Sequence, residues 1–250
     1  YRVAKKATRH LLPGENCVVI GAGGLGHIAI QCLKAMCAAN IIIVEKSETA
    51  LKHAMPLGGD HGVPIPVLRG FKKWAPITLV HVDAHLDWRD HVNGVRDGLS
   101  SPIRRASEMD HIGEIFQIGL RSAGSARPEE AQAALNYGAN LISDIELQEV
   151  GMKAILDRIP DGHNYYLTID ADGVDPTIMP AVAGPAPGGV NYSQMRTLIQ
   201  GLVNKGRVLG MDIVEITPSK DVNGITAITA GRFISNLIGS AVRAGYFNKK

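Results

Sequence analysis

Short, almost wholly apolar runs recur along the chain, separated by stretches where apolar residues return every three or four positions. The runs are Cys17–Ile20, Ile41–Val44, Ile77–Val82, Ile115–Ile118, Asn140–Ser143, Tyr165–Ile169 and Val208–Val214. They do not alternate with polar residues, which is the pattern of strands covered on both faces. Helical spacing marks Leu25–Cys37, Pro128–Leu135, Ile145–Ile159, Tyr192–Asn204 and Ile225–Val242. Strand and helix in alternation predict an α/β fold: a mostly parallel, doubly wound sheet in a three-layer α/β/α sandwich. The Pro/Gly-rich stretch Pro176–Gly189 reads as a surface loop near the sheet end.

Composition narrows the function classes. At 250 residues the chain suits one large α/β domain or two small ones. A net charge of +2, with no Lys/Arg run longer than two, gives no nucleic-acid footprint. Cys17, Cys32 and Cys37 are an odd, clustered set without metal-type pairing. They read as small buried hydrophobes in a reducing compartment, so a cytoplasmic location is expected. Asn16–Leu33, the longest uncharged apolar stretch, is broken by glycines and polar residues and does not read as a membrane span. No secretory leader is recognised.

Two constellations carry chemistry. In the first, Val18-Val19-Ile20 leads into Gly21-Ala22-Gly23-Gly24-Leu25-Gly26 and an apolar helix, and the next strand ends in Glu45, 19 positions after Gly26. That is the context of a dinucleotide fingerprint. Gly21 makes the turn, Gly23 lets the backbone approach a pyrophosphate, Gly26 admits close helix packing, and Glu45 accepts from ribose hydroxyls. The alternative is a βαβ unit that only supplies strands and a helix to a larger sheet. The segment from Tyr1 to about Asp60, with Leu11-Leu12-Pro13-Gly14-Glu15 and Leu57-Gly58, resembles the NAD-binding part of medium-chain, zinc-type alcohol dehydrogenases. The resemblance implies a Rossmann-like piece over residues 1–56, a second region over 57–250, and NAD as a secondary cofactor candidate.

The second constellation is Gly58-Gly59-Asp60-His61, His81-Val82-Asp83-Ala84-His85-Leu86-Asp87, and Thr168-Ile169-Asp170-Ala171-Asp172-Gly173-Val174-Asp175-Pro176. The last two follow predicted buried strands, where open α/β sheets bind ligands. Residues two apart share a face of extended chain, so Asp83, His85 and Asp87 point together, as do Asp170 and Asp172. Two carboxylates 4 Å apart repel by about 4 kcal/mol at an effective dielectric near 20. Protons or cations must therefore be present. Oxygen-rich ligands mixed with imidazole favour Mn²⁺ or a similar ion, and shared carboxylates suggest two ions. Taken singly, His81 reads as a satisfied strand residue, and His53, His91, His111 and His163 as surface or structural.

These motifs, in this order, resemble the ureohydrolase family of arginases and agmatinases from about Leu57 to Phe247, as does Gly210–Pro218. The resemblance implies an arginase-like fold and two Mn²⁺ ions. One is held by His61, Asp83, Asp87 and Asp170, the other by Asp83, His85, Asp170 and Asp172. It further implies a hydroxide between the ions that attacks a guanidinium carbon, with Asp87 orienting it and Glu215 pairing with the guanidinium. The products are urea and an amine. Relatives are typically trimers or hexamers, so a homo-oligomer is expected, with no nucleic-acid or membrane partner. Three departures stand out. Leu99 occupies the place of a family His implicated in proton transfer, for which His91 is a candidate substitute. Pro180–Gly189 is an altered version of the family loop. Lys52–Pro56 precedes the first motif where relatives have a strand, so the chain reads as a recombinant of two families, and the alternatives to a hydrolase are a NAD-binding dehydrogenase-derived fragment or a non-catalytic metal-binding chimera.

Overall fold

The computed structural model describes residues 16–20, 40–44, 59–122 and 124–247. The chain divides into two compact units, Tyr1–Leu57 and Gly58–Lys250. In the first, β1 (Asn16–Ile20) and β2 (Asn40–Val44) pair in parallel, Asn16 opposite Asn40 and Ile20 opposite Val44. Both coincide with predicted runs. The predicted helix Leu25–Cys37, the stretch Lys52–Pro56 and the candidate dinucleotide residues Gly21, Gly23, Gly26 and Glu45 lie outside the described residues.

The second unit is built on a five-stranded parallel sheet. Its strands are β3 (Ile77–Val82), β4 (Ile112–Leu120), β5 (Asn140–Ser143), β6 (Asn164–Asp170) and β7 (Arg207–Val214). They lie in the order β5-β4-β3-β6-β7. The chain winds outward from β3 to β5, then crosses back to start again at β6. The winding therefore reverses between β3 and β6, and open sheets take ligands in the crevice at the carboxyl ends of such a pair.

Among the described residues, six α-helices accompany this sheet. They are α1 (Pro64–Gly70), α2 (Pro102–Ser107), α3 (Pro128–Tyr137), α4 (Asp144–Arg158), α5 (Tyr192–Lys205) and α6 (Ile225–Arg243). On one face Leu68 of α1 and Ile103 and Ala106 of α2 share a core with Ile77, Leu79, Ile115 and Tyr166. Helices α4, α5 and α6 pack in series. All six residues of β3 are buried, as an apolar strand with helices on both sides requires. Each fully buried Ile or Leu contributes about 1.5–3 kcal/mol.

Local chemistry sets the helix ends. Asn191 caps α5 by accepting from the Gln194 amide, and the Gln194 side chain accepts in return from the Asn191 amide. Met195, Leu198, Ile199, Leu202 and Val203 then bury one stripe. Helix α4 bends at Gly151, whose φ of 78° no helix interior adopts. Helix α6 is long and apolar enough, by length and composition, to cross a membrane. Here it buries Phe233, Leu237 and Ala241 along one stripe and lies against α5. The apolar spacing does not mark helices α1 and α2. Each is a short turn opening on proline, which fits a first helical turn because no amide hydrogen is needed there.

Candidate metal centre

Three pieces of chain converge at the switch between β3 and β6. Strand β3 stops at Val82 and delivers Asp83, His85 and Asp87. Strand β6 ends on Asp170, and a single 3-10 turn over Ala171–Gly173 brings Asp172. His61 arrives from the loop ahead of α1. Close approach of these segments demands Gly173, where a Cβ would lie 2.5 Å from both Cα and N of Asp83.

His61 Nδ1 lies 3.1 Å from Asp83 Oδ2, 3.2 Å from Asp87 Oδ2 and 3.1 Å from Asp170 Oδ2. One nitrogen carries at most one proton and cannot satisfy three carboxylate oxygens. Asp87 Oδ2 accordingly is buried without a hydrogen bond. Next to this group, His85 Nδ1 lies 3.2 Å from Asp83 Oδ1 and 3.3 Å from Asp172 Oδ2. Asp83 thus offers one oxygen to each group. The second oxygen of Asp170 accepts from the Asp172 amide at 2.8 Å. Among the described residues, two sets of donors lie close enough together to hold a cation: one contains His61, His81, Asp83 and Asp87, the other Asp83, His85 and Asp172. The donor set, imidazole plus carboxylate with an orphaned buried oxygen, fits hard or borderline divalent ions.

The electrostatics follow from crowding. Burial and the neighbouring Asp83 push the Asp87 carboxyl well above its usual range, and the same two causes raise Asp170. Burial also opposes ionisation of Asp83, but His81 and the hydrogen bonds from His61, His81 and His85 outweigh it and hold this group well below the usual range. For His61 burial disfavours the cation, yet its hydrogen bonds to Asp170 and Asp83 raise it well above the ordinary imidazole. Hydrogen bonds to Asp172 and Asp83 push His85 up to about 11. Protons hold the cluster together where cations do not.

Two buried relays fix the imidazoles. Thr168 Oγ1 donates to Asp212 Oδ1 at 2.6 Å, so it accepts from His61 Nε2 at 3.0 Å, and His61 Nδ1 faces the carboxylates. Tyr166 donates to the other oxygen of Asp212 at 2.6 Å. Gln117 Nε2 donates to the Leu86 carbonyl at 2.7 Å, which fixes its amide orientation, and contacts His81 Nδ1 at 3.0 Å. That nitrogen must accept, so His81 Nε2 carries the hydrogen given to Asp83 Oδ2 at 2.8 Å. Burial also lowers the His81 pKa. His81 therefore donates to Asp83 and orients it, close to the reading of a satisfied strand residue. Such partners commonly tune metal affinity. Thr168, Asp212, Tyr166 and Gln117 were not singled out from sequence.

Glu215 follows β7. Its amide donates to the Gly59 carbonyl at 2.9 Å, and its Oε1 accepts from the His61 amide at 2.8 Å. Asp87 and Glu215 have φ of 51° and 61°, a left-handed backbone that carboxylates rarely adopt; strain of this kind clusters at functional sites. A cavity of about 260 Å³ opens above the cluster, and His61, His85, Asp87, Asp170, Asp172 and Glu215 all line it. Leu99 also lines it, whereas His91 does not; the His91 ring accepts from the Gly94 amide instead. Arg121 binds the carbonyls of Gly119, Asp172, Gly173, Ala186 and Pro187, tying the Pro/Gly-rich loop to the β6 end.

Residues 2–239 match the model of the arginase family. The chain belongs to the arginase family. This match begins ahead of the glycine-rich turn, so the family accounts for that segment too, and no comparison supports a piece derived from a dehydrogenase. The chain is 29% identical over 227 residues to a guanidinobutyrase from Pseudomonas aeruginosa, covering 88% of this chain and 70% of that one. It is 29% identical over 197 residues to an agmatinase from Bacillus anthracis, covering 78% and 66%. The chain thus spans only about two thirds of the length of these relatives. Among solved structures, the proclavaminate amidino hydrolase from Streptomyces clavuligerus superposes with a TM-score of 0.72 at 22% identity, over 94% of each chain. That likeness establishes the arginase-like α/β fold.

Proposed function

We propose that this arginase-family chain is a Mn²⁺-dependent ureohydrolase of the agmatinase-like branch, splitting a guanidino C–N bond to give urea and an amine. The observation that carries the reading is Asp83, with one oxygen turned to the His61, Asp87 and Asp170 group and the other to His85 and Asp172. Family membership and the names of relatives that act on guanidino compounds support it.

His61, Asp83, Asp87 and Asp170 would hold one ion, and Asp83, His85, Asp170 and Asp172 the other. Bound divalent ions supply the charge that offsets these carboxylates and lower the pKa of water toward neutrality. The chain's own groups do the rest. Glu215 keeps Oε1 on the His61 amide and has Oε2 for a guanidinium, a charge-assisted pair. The Asp87 carboxylate orients the attacking water and takes its proton. Water adds to the guanidinium carbon, the C–N bond to the alkyl nitrogen breaks, and that nitrogen leaves with a proton as the amine. Glu215 and Asp87 are thus the catalytic candidates, and a homo-oligomer in the cytoplasm remains part of this reading.

Metal analysis together with urea release tests it. The chain loaded with Mn²⁺ is expected to hold two ions and to release urea from a guanidino panel. Asp83→Ala is expected to lose both ions and the activity. Two ions retained by Asp83→Ala would falsify the ligand assignment, and no urea from any member of the panel would remove the hydrolase reading.

A further inference from the structure

The names of the relatives span substrates with acidic and with basic tails, so they do not choose between them. The cavity itself does. Its floor is acidic, formed by Asp87, Asp170, Asp172 and Glu215, and suits a cationic head. Arg89 is the one Arg or Lys among its described lining residues. The Arg89 amide donates to the Ser100 carbonyl at 3.0 Å, and its Nη2 donates to the Ser125 carbonyl at 3.0 Å. The guanidinium is therefore held in place at the cavity wall. It has five N–H donors, and among the described residues no carboxylate lies within ion-pair distance of it. Arg69, Arg96, Arg104, Arg105 and Arg158, by contrast, are all paired with acids.

Glu130 is the remaining acid in the lining, outside the floor. Its Oε2 accepts from the Arg127 amide at 2.8 Å, at the N-terminus of α3. Its charge is thus committed to the helix end. Leu99, Ala126 and Ala183 supply apolar wall for a methylene stem. Arg89 follows Asp87 by two residues, and both line the same cavity of about 260 Å³, which takes a small substrate.

Resting on the ureohydrolase reading, we infer that Arg89 binds an anionic tail, so that this chain takes short guanidino acids in preference to guanidino amines. The head meets Glu215 and the acidic floor, the stem lies along Leu99, and the carboxylate meets the open edge of the Arg89 guanidinium.

The test compares 4-guanidinobutyrate, with a carboxylate tail, and agmatine, with an ammonium tail, on the full Mn²⁺-loaded chain. Calorimetric binding and urea release are both read. The acid is expected to be favoured about tenfold or more in each. Arg89→Met is expected to weaken the acid about tenfold to hundredfold, the range of a lost charge-assisted hydrogen bond, while agmatine changes less than about threefold and metal content stays at two. Arg89→Lys is expected to restore part of the preference. Agmatine favoured by the wild-type chain, or both ligands weakened equally by Arg89→Met, overturns this inference and leaves the hydrolase reading standing. Acid binding that depends on Arg89 without any urea removes the hydrolase reading and upholds the tail site. Binding of neither ligand removes both.

Discussion

Gln117 Nε2 contacts His81 Nδ1 at 3.0 Å while also donating to the Leu86 carbonyl, and this single amide decides which nitrogen of His81 bears the hydrogen. The consequence reaches Asp83, which receives that hydrogen at 2.8 Å. Gln117→Leu removes the constraint and lets the imidazole choose either tautomer. Metal affinity is expected to fall about tenfold to hundredfold, read by competition with a calibrated chelator. The metal-free chain is expected to lose only about 1–2 kcal/mol in a denaturant melt. An unchanged affinity in a folded variant counts against the relay.

Gly173 touches the backbone of Asp83, not a side chain that could swing away. Gly173→Ala must separate β6 from β3 or fail to close the crevice. Destabilisation of about 3 kcal/mol or more is expected, at the top of the range for overpacking. Urea denaturation followed by circular dichroism measures it. A variant within about 1 kcal/mol of the parent contradicts the close approach.

His85 is the half-open imidazole of the cluster, and its hydrogen bonds to Asp172 and Asp83 carry it up to about 11. Without metal it is a cation across the neutral range. A raised folded pKa contributes stability that is complete below the unfolded value near 6.5 and is lost as pH rises through about 11. A divalent ion must displace that proton. Metal uptake at pH 7 to 9 is therefore expected to release protons, and affinity to climb with pH. Calorimetry in two buffers of different ionisation enthalpy counts them; a net count of zero refutes the assignment of His85.

Glu215 holds no metal ion in this scheme; it faces the substrate. Glu215→Gln keeps the acceptor for the His61 amide and removes the charge. Urea release is expected to drop at least about tenfold while two ions remain. Loss of metal from this variant places Glu215 among the ligands instead.

Much of this fold is legible in the sequence. All seven apolar runs fall within strands, because two-sided burial leaves an unmistakable apolar signature, as in Ile77–Val82. The position of Asp83, His85 and Asp87, and of Asp170 and Asp172, directly after apolar runs puts them at strand ends, where they stand, although Asp172 sits in a 3-10 turn and not in the extended chain the spacing argument assumes. Hidden were the features that depend on contacts between distant residues. Gln117 and His81 are 36 positions apart, and Asp212 and Thr168 are 44 apart. Nothing local in β4 marks Gln117 among its apolar neighbours. Helices α1 and α2 are too short to show a period, and their prolines read as breaks. The dehydrogenase-like reading of the N-terminal glycine-rich segment finds no support in the comparisons, and such a segment by itself does not fix a function.

Asp83, His85 and Asp87 after β3, and Asp170 and Asp172 at the end of β6, leave the sheet from the same rim. The other rim, where β3, β4 and β6 begin, carries exposed positions such as Asp161 and Gly162, and the ion pair of Asp161 with Lys205 at 2.6 Å anchors nothing chemical. A dye, tether or inserted peptide at Asp161 is expected to ride on the molecule as a silent handle, reporting on its whereabouts and its unfolding while the reacting end carries on undisturbed.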